Sequence, residues 1–145
     1  MLFRSKDRSR AIRELQAILT IDFDNIAAAR QLVSLLKEDG ATEPTRLQPA
    51  FERLVALDPF DGAAQGSLGR LAMDAGDTEA AIRHFKAVVA LKSVDQAAAY
   101  TDLAEGLLKV GRVAEARRQT LAALEVAPSY ERAQSLLLRL AEARP

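Results

Sequence analysis

Three glycines recur along the chain at nearly constant spacing. Gly40, Gly76 and Gly111 each follow a stretch of helical apolar periodicity, and their separations are 36 and 35 residues. Glycine is favoured just past a helix end, where the backbone turns through a left-handed conformation that a Cβ opposes. Pro59 and Pro128 lie 19 and 17 residues after the first and third of these glycines. The spacing therefore predicts a repeated unit of helix, glycine turn, helix and short break.

Apolar residues within each unit follow the period of an α-helix. Ala29, Leu32, Val33 and Leu36 have the i, i+3, i+4, i+7 spacing that places all four on one helix face. The composition of 28 Ala and 21 Leu also favours closely packed helices over strands. We predict eight helices, which span approximately residues 6–20, 25–39, 46–57, 62–75, 78–91, 95–109, 112–126 and 129–143.

Short polar side chains indicate where several helices begin. Asp77 and Ser129 are predicted N-caps, and Thr45–Gln48 and Ser93–Gln96 have the spacing of capping boxes. Pro49 lies at the limit of where a first helical turn tolerates proline. The third helix is therefore expected to begin a few residues after position 46.

Charge and composition exclude several classes of function. The chain has 20 basic and 20 acidic residues, so no basic field favours binding to nucleic acid or to a membrane surface. It has no Cys and one His, which excludes a thiol nucleophile and a metal site built from several histidines. We predict no cofactor and no catalytic residue, and His84 is expected to be a surface or packing residue. The first thirteen residues lack the apolar region of a secretory signal, so a cytoplasmic location is expected if the chain is complete.

The clearest copy of the repeated unit runs from residue 62 to residue 95 and places small and large side chains at fixed positions. It contains Leu68-Gly69 on its first helix, Gly76-Asp77 at its turn, and Ala81 and Phe85 on its second helix. This pattern resembles the tetratricopeptide repeat. The resemblance implies a single all-α domain, residues 1–145, folded as a right-handed superhelix of antiparallel helix hairpins. Its parts would be a lone second helix (6–23), repeats over 26–61, 62–96 and 97–130, and a capping helix (131–145).

The resemblance also implies a function, because tetratricopeptide repeats generally bind peptides or proteins in a concave groove lined by the first helix of each pair. A non-enzymatic interaction module is therefore expected, as a bacterial-type scaffold or part of a longer protein. Ser34, Gly66 and Thr101 stand where chaperone-binding members carry a carboxylate clamp, so that specificity is not expected. Arg30 and Arg70 could pair with one acidic side chain of a ligand. The groove candidates are Arg30, Ser34, Lys37, Arg70, Met73, Thr101, Glu105 and Lys109.

The two ends of the chain suggest alternatives to a groove-binding module. A lone N-terminal second helix would expose an apolar stripe made of Ile12, Leu15, Ile18 and Leu19. An upstream segment, a second copy in a homodimer, or Leu2 and Phe3 folding back could cover it, or it could stay partly exposed. Two alternative functions follow: a self-association domain that uses this stripe, and an accessory region of a larger enzyme. The last helix is expected to present Arg132 and Arg139 to water.

Overall fold

Eight α-helices and no strand form the part of the chain that the computed structural model describes, which is residues 2–39 and 43–143, with side chains from residue 6 onward. The all-α prediction is confirmed. Gly40 and the final two residues of the predicted capping segment lie outside the described residues, as do the side chains of Leu2 and Phe3. The helices are α1 (Leu2–Ile21), α2 (Ile26–Glu38), α3 (Pro44–Leu57), α4 (Gly62–Asp74), α5 (Thr78–Ala90), α6 (Gln96–Lys109), α7 (Val113–Val126) and α8 (Glu131–Glu142).

Side-chain caps begin four of the described helices, where Asn25, Asp61, Asp77 and Asp95 each accept from the backbone N–H three residues on. The carboxylate of Asp77 accepts a hydrogen bond from the backbone N–H of Ala80 at 3.1 Å, which confirms its predicted role at the start of α5. Asp95 caps α6 by accepting from the N–H of Ala98 at 3.0 Å. The capping box predicted at Ser93–Gln96 is therefore wrong, because the residue that supplies the side-chain acceptor at the start of α6 is Asp95.

The start of α3 differs from the prediction. This helix begins at Pro44, earlier than expected, and Pro49 lies inside it. Proline is favoured at the first helical position, because its fixed φ suits the helix and an N–H there would have no intrahelical partner. Glu43 is the N-cap and makes no side-chain cap bond, so Thr45 does not open a capping box. Ser129 is likewise not an N-cap, since α8 begins after Tyr130.

Residue contacts divide the chain into two compact units, residues 1–64 and 65–145. In unit 1, α2 packs against both α1 and α3. Its core contains one aromatic ring, that of Phe51, and otherwise aliphatic side chains. The buried apolar residues of unit 1 are Ile12, Leu15, Leu19, Ala28, Ala29, Leu32, Val33, Leu36, Ala50, Phe51, Leu54 and Ala64.

Unit 2 contains most of α4 and all of α5 to α8, and its core depends on small residues where helices meet. Ala81, Ala104 and Ala116 are fully buried in a cluster with Phe85. Gly69 lies so close to the Phe85 ring that a Cβ there would be 2.4 Å from Cε1. Side chains this small let helix backbones approach closely, which fits the closely packed helices that the alanine content predicts.

Two turns of unit 2 need a glycine. Gly76 and Gly111 follow α4 and α6 with φ values of +82° and +79°. The N–H of the residue after each glycine, Asp77 and Arg112, donates to a carbonyl near the end of the preceding helix. A Cβ would strain this left-handed backbone, which explains in physical terms why glycine occupies these two positions.

Candidate functional site

The exposed face of α2 carries three of the predicted groove residues of unit 1. Arg30, Ser34 and Lys37 are exposed and line an open depression of about 210 Å³. The Phe51 ring forms part of its wall, and the Lys37 ammonium lies 5.2 Å from the centre of that ring. This distance is within the range of a cation–π contact. The depression therefore combines cationic groups with an aromatic surface.

Arg30 is held by acidic residues of its own unit. Its Nη2 donates to Oδ2 of Asp58 at 2.7 Å, and its Nε lies 3.9 Å from Oδ2 of Asp61. Both carboxylates come from the turn after α3. The guanidinium remains half-exposed, and Ser34 makes only a long 3.5 Å contact with Glu38. Unit 1 thus presents Arg30 to solvent in a fixed orientation.

A network of four charged side chains connects α4, α6 and α8 in unit 2. The two carboxylate oxygens of Asp102 face different arginines: Oδ1 is 2.7 Å from Nη2 of Arg132, and Oδ2 is 3.5 Å from Nη1 of Arg70. The same Nη2 of Arg132 is 3.1 Å from Oε2 of Glu105. Asp102 is largely buried, with 16% of its side chain exposed, whereas 64% of the Arg70 side chain is exposed. Arg70 is therefore the loosely held member of the network.

The environment of Arg132 keeps it charged. Partial burial lowers the pKa of its guanidinium, but the hydrogen bonds to Asp102 and to the Tyr130 hydroxyl and the nearby Glu105 charge more than offset this. The net result is a raised pKa. This arginine was predicted to face water as part of a terminal cap, and its side chain is exposed as predicted, while its head group also pairs with two carboxylates of α6.

Met73 and Lys109 extend the same region of unit 2. The Lys109 ammonium is exposed and contacts the backbone carbonyl of Met73 at 3.5 Å. Met73 packs beside Gly106, where a Cβ would lie 4.0 Å from its sulfur. A half-buried thioether on the same helix as Arg70, with Lys109 of α6 on its backbone carbonyl, suits contact with a mixed apolar and acidic ligand.

Residues 72–140 match the family model of the tetratricopeptide repeat. This stretch of the chain carries tetratricopeptide repeats. The match covers α5 to α7 entirely and reaches into α4 and α8. No curated protein sequence matches the chain significantly.

Solved structures resemble the chain over nearly its whole length. A crystal structure of MamA aligns with a TM-score of 0.76 and 23% identity, covering 94% of this chain and 78% of that protein. Pseudomonas aeruginosa PilF aligns with a TM-score of 0.70 and 14% identity, over 95% of this chain and 62% of that one. PilW, described as a widely conserved type IV pilus biogenesis factor, aligns with a TM-score of 0.66 and 16% identity, covering 95% of this chain and 63% of that one. Identities this low support the tetratricopeptide repeat fold alone.

One groove candidate of these tetratricopeptide repeats does not reach the surface. Thr101 is fully buried in α6, and its hydroxyl donates to the carbonyl of Ala97 at 2.7 Å. Thr101 therefore cannot contact a ligand directly. The sequence pattern misjudged it because a threonine within a helix can satisfy its hydroxyl on the preceding turn and then pack like an apolar residue.

The predicted self-association stripe is also mostly inside the protein. Ile12, Leu15 and Leu19 are buried, and only Ile18 is exposed, at 43%. The physical reason is that α1 packs against α2 within unit 1, so this face has a partner helix. The backbone of Leu2 is the first of α1 and is helical, so it does not fold back. The prediction that this stripe forms an open docking surface is therefore wrong.

Sequence reasoning missed the acidic partners of both arginines. Asp58 and Asp61 hold Arg30, and Asp102 connects Arg70 to Arg132. A signal was present, because Arg70, Asp102 and Arg132 are separated by 32 and 30 residues, close to one repeat length. Oppositely charged residues that recur at the repeat spacing would have suggested ion pairs between successive first helices.

Among the described residues, no group of three or more His, Cys, Asp or Glu side chains could hold a metal ion. Within them, no helix is long and apolar enough to cross a membrane.

Proposed function

We propose that this chain is a non-enzymatic protein-interaction module that binds a peptide or protein segment along the first helices of its repeats. The observation that carries the proposal is the position of Arg70. Its guanidinium is mostly exposed on α4 and makes a long 3.5 Å contact with one carboxylate oxygen of Asp102. The other oxygen of Asp102 is held more tightly by Arg132, at 2.7 Å. Arg70 can therefore exchange this contact for a ligand at little cost.

The charges around Arg70 favour an acidic ligand. The carboxylates of Asp102 and Glu105 are already paired with Arg132, whereas Arg70 and Lys109 are exposed on α4 and α6. An acidic side chain placed between these two cations would gain two favourable contacts, and an apolar neighbour could pack on Met73. We therefore propose that the ligand of unit 2 is a segment that combines carboxylates with apolar side chains.

The single histidine supports a non-enzymatic assignment. His84 lies on α5, and its Nδ1 is 2.8 Å from the amide oxygen of Gln65, a buried residue of α4. A histidine held at a contact between α4 and α5 stabilises packing. The proposal therefore assigns His84 a structural role.

Capture of partner proteins by matched variants tests the proposal. The full chain, an Arg70→Ala with Lys109→Ala variant and an Arg83→Ala with Lys86→Ala control would be immobilised and exposed to lysate of the source cells. Both pairs remove two exposed cations, but the control pair lies on the second helix α5. Quantitative mass spectrometry should show partners retained by the control and depleted several-fold by the test variant. Equal capture by all three proteins would contradict the groove assignment.

A further inference from the structure

Unit 1 contains an open cleft between α1 and α3, the two helices of this unit that correspond to the second helix of a repeat. We name it the α1–α3 cleft, and its volume is about 370 Å³, which is in the range of ligand and side-chain sites. The floor is apolar and buried, and it is made of Leu19, Leu32, Leu36 and Ala50. The remaining lining residues, Gln16, Thr45, Arg46, Pro49 and Arg53, form a more polar rim.

The charge of this rim is one-sided. Of the described residues that line the α1–α3 cleft, two are arginines and none is acidic, although the whole chain has equal numbers of both charges. Arg53 is fixed, because its Nη1 donates to the carbonyls of Leu19 and Phe23 at 3.1 Å each. Arg46 is loosely held, with Nη1 3.7 Å from Asp39 and nearly half of its side chain exposed. The cleft therefore fits an apolar group that has carboxylates beside it.

The end of α1 carries a group of that chemistry. Three of the exposed large apolar residues fall within six positions, namely Ile18, Ile21 and Phe23, and 69% of Phe23 is exposed. Asp22 and Asp24 lie on either side of Phe23 in the sequence, and both are exposed. Single exposed apolar residues are ordinary, but a cluster of three marks a surface that gains from being covered.

The cluster lies next to the cleft on the same unit. The two hydrogen bonds of Arg53 connect them directly, since Leu19 is part of the cleft floor and Phe23 follows α1. When a protruding group and its complementary cavity are neighbours on one surface, two copies related by a two-fold axis can exchange them reciprocally. Such an isologous contact closes after two copies and buries both clefts.

We infer that the chain forms a homodimer in which Phe23 of each copy enters the α1–α3 cleft of the other. Asp22 and Asp24 would then face Arg46 and Arg53 of the second copy, and Ile18 and Ile21 would be covered at the rim. This surface belongs to unit 1 and does not involve Arg70, so it goes beyond the proposed function and can fail separately from it.

Sedimentation velocity of the full chain, from low to high micromolar concentration, tests the inference. Phe23→Ser should raise the dimer dissociation constant by roughly a hundredfold or more, because each dimer buries this side chain twice. Arg46→Glu should also weaken the dimer, and raised salt should do so moderately in the unchanged chain. Both residues are exposed, so far-UV circular dichroism should show unchanged helicity in each variant.

Phe60 provides the matched control. It occupies the turn after α3, as Phe23 occupies the turn after α1, and it is 79% exposed. Phe60→Ser should leave the dimer intact, since Phe60 is not among the residues at the α1–α3 cleft. A monomer at every concentration would overturn the inference, and so would dissociation by Phe60→Ser to the same extent as by Phe23→Ser. Saturable binding of an acidic phenylalanine peptide by a chain that stays monomeric would assign the cleft to another protein.

Discussion

The two units use different side chains at equivalent helix crossings. In the repeat pattern, Val33 of α2 corresponds to Gly69 of α4 and Ala104 of α6, so unit 1 has a larger residue there than unit 2. Leu47 of α3 similarly corresponds to the fully buried Ala81 of α5 and is itself only partly buried.

The extent of contact between helices follows this difference in side-chain size. In unit 2, α6 and α7 contact each other more extensively than α2 and α3 do in unit 1. Glycine and alanine allow close helix approach, whereas valine and leucine keep axes apart. We attribute the open α1–α3 cleft of unit 1 to these larger residues together with Pro49, which lines it. Small residues at the crossings thus accompany a closed core, and larger ones accompany an open cleft.

Removal of one buried aromatic ring from each unit should show the difference in packing between the two units most clearly. Phe85 and Phe51 are both 3% exposed and occupy equivalent places on second helices. Phe85→Ala should cost about 3–5 kcal/mol, because the cavity it leaves is enclosed by the core of unit 2. Phe51→Ala should cost clearly less, since Phe51 borders the open depression beside Lys37 and water can enter the space. Urea unfolding followed by circular dichroism measures both, and equal losses would contradict the contrast in packing.

Overpacking at the second-helix crossing should have the next largest effect. Ala81→Leu should cost about 1–3 kcal/mol, because unit 2 has no space for the added atoms at a fully buried alanine. Leu47→Ala in unit 1 is the reverse change at the equivalent place, and its cost should be smaller because Leu47 is only partly buried. Both values come from the same urea experiment. An Ala81→Leu protein as stable as the unchanged chain would place Ala81 away from the crossing.

These small residues were also the most predictable part of the fold. The glycine spacing and the apolar period sufficed for eight helices, because each depends on neighbouring residues alone. The buried Ala81 occupies a small-residue position that the repeat pattern had marked. Helix starts were less predictable, since Ser93 and Asp95 are both good caps and only the backbone conformation at the helix start selects Asp95.

The candidate site was predictable only in part, for a physical reason. Arg30 and Arg70 were placed on the exposed face of first helices by their spacing. Their partners were missed because a long guanidinium reaches carboxylates 28 or more positions away in sequence, and this reach depends on how helices pack. Burial of α1 depended in the same way on its contact with α2.

Replacement of each of two glycines of α4 by alanine should change the stability of the protein in opposite directions. Gly69→Ala should destabilise the protein by about 1–3 kcal/mol, because its Cβ would overlap the Phe85 ring. Gly66→Ala should stabilise it by about 0.5–1 kcal/mol, since its Cβ would have ordinary contacts no closer than 3.6 Å and alanine is the better helix former. Thermal unfolding of the two variants beside the unchanged chain measures both signs. Stabilisation by Gly69→Ala would show that Phe85 can move aside.

The smallest expected effect concerns how the second helices begin. Neither the N-cap of α3, Glu43, nor that of α7, Arg112, makes a side-chain cap bond, but Arg112 donates to both oxygens of Glu115 at 2.7 and 2.8 Å. These hydrogen bonds lower the pKa of Glu115. Because the pKa is lower in the folded state, the pair stabilises α7 above the ordinary pKa of glutamate. That contribution is lost as the pH falls through the lowered value.

A side-chain carboxyl titration by nuclear magnetic resonance should detect this shift. In the unchanged chain, Glu115 should titrate below the ordinary glutamate range, and in Arg112→Ala its pKa should rise towards that range. Because the pair is partly exposed to solvent, salt should diminish the difference. An identical Glu115 pKa in both proteins would mean that Arg112 does not hold this carboxylate in solution. The start of α7 would then resemble that of α3, which has no such pair.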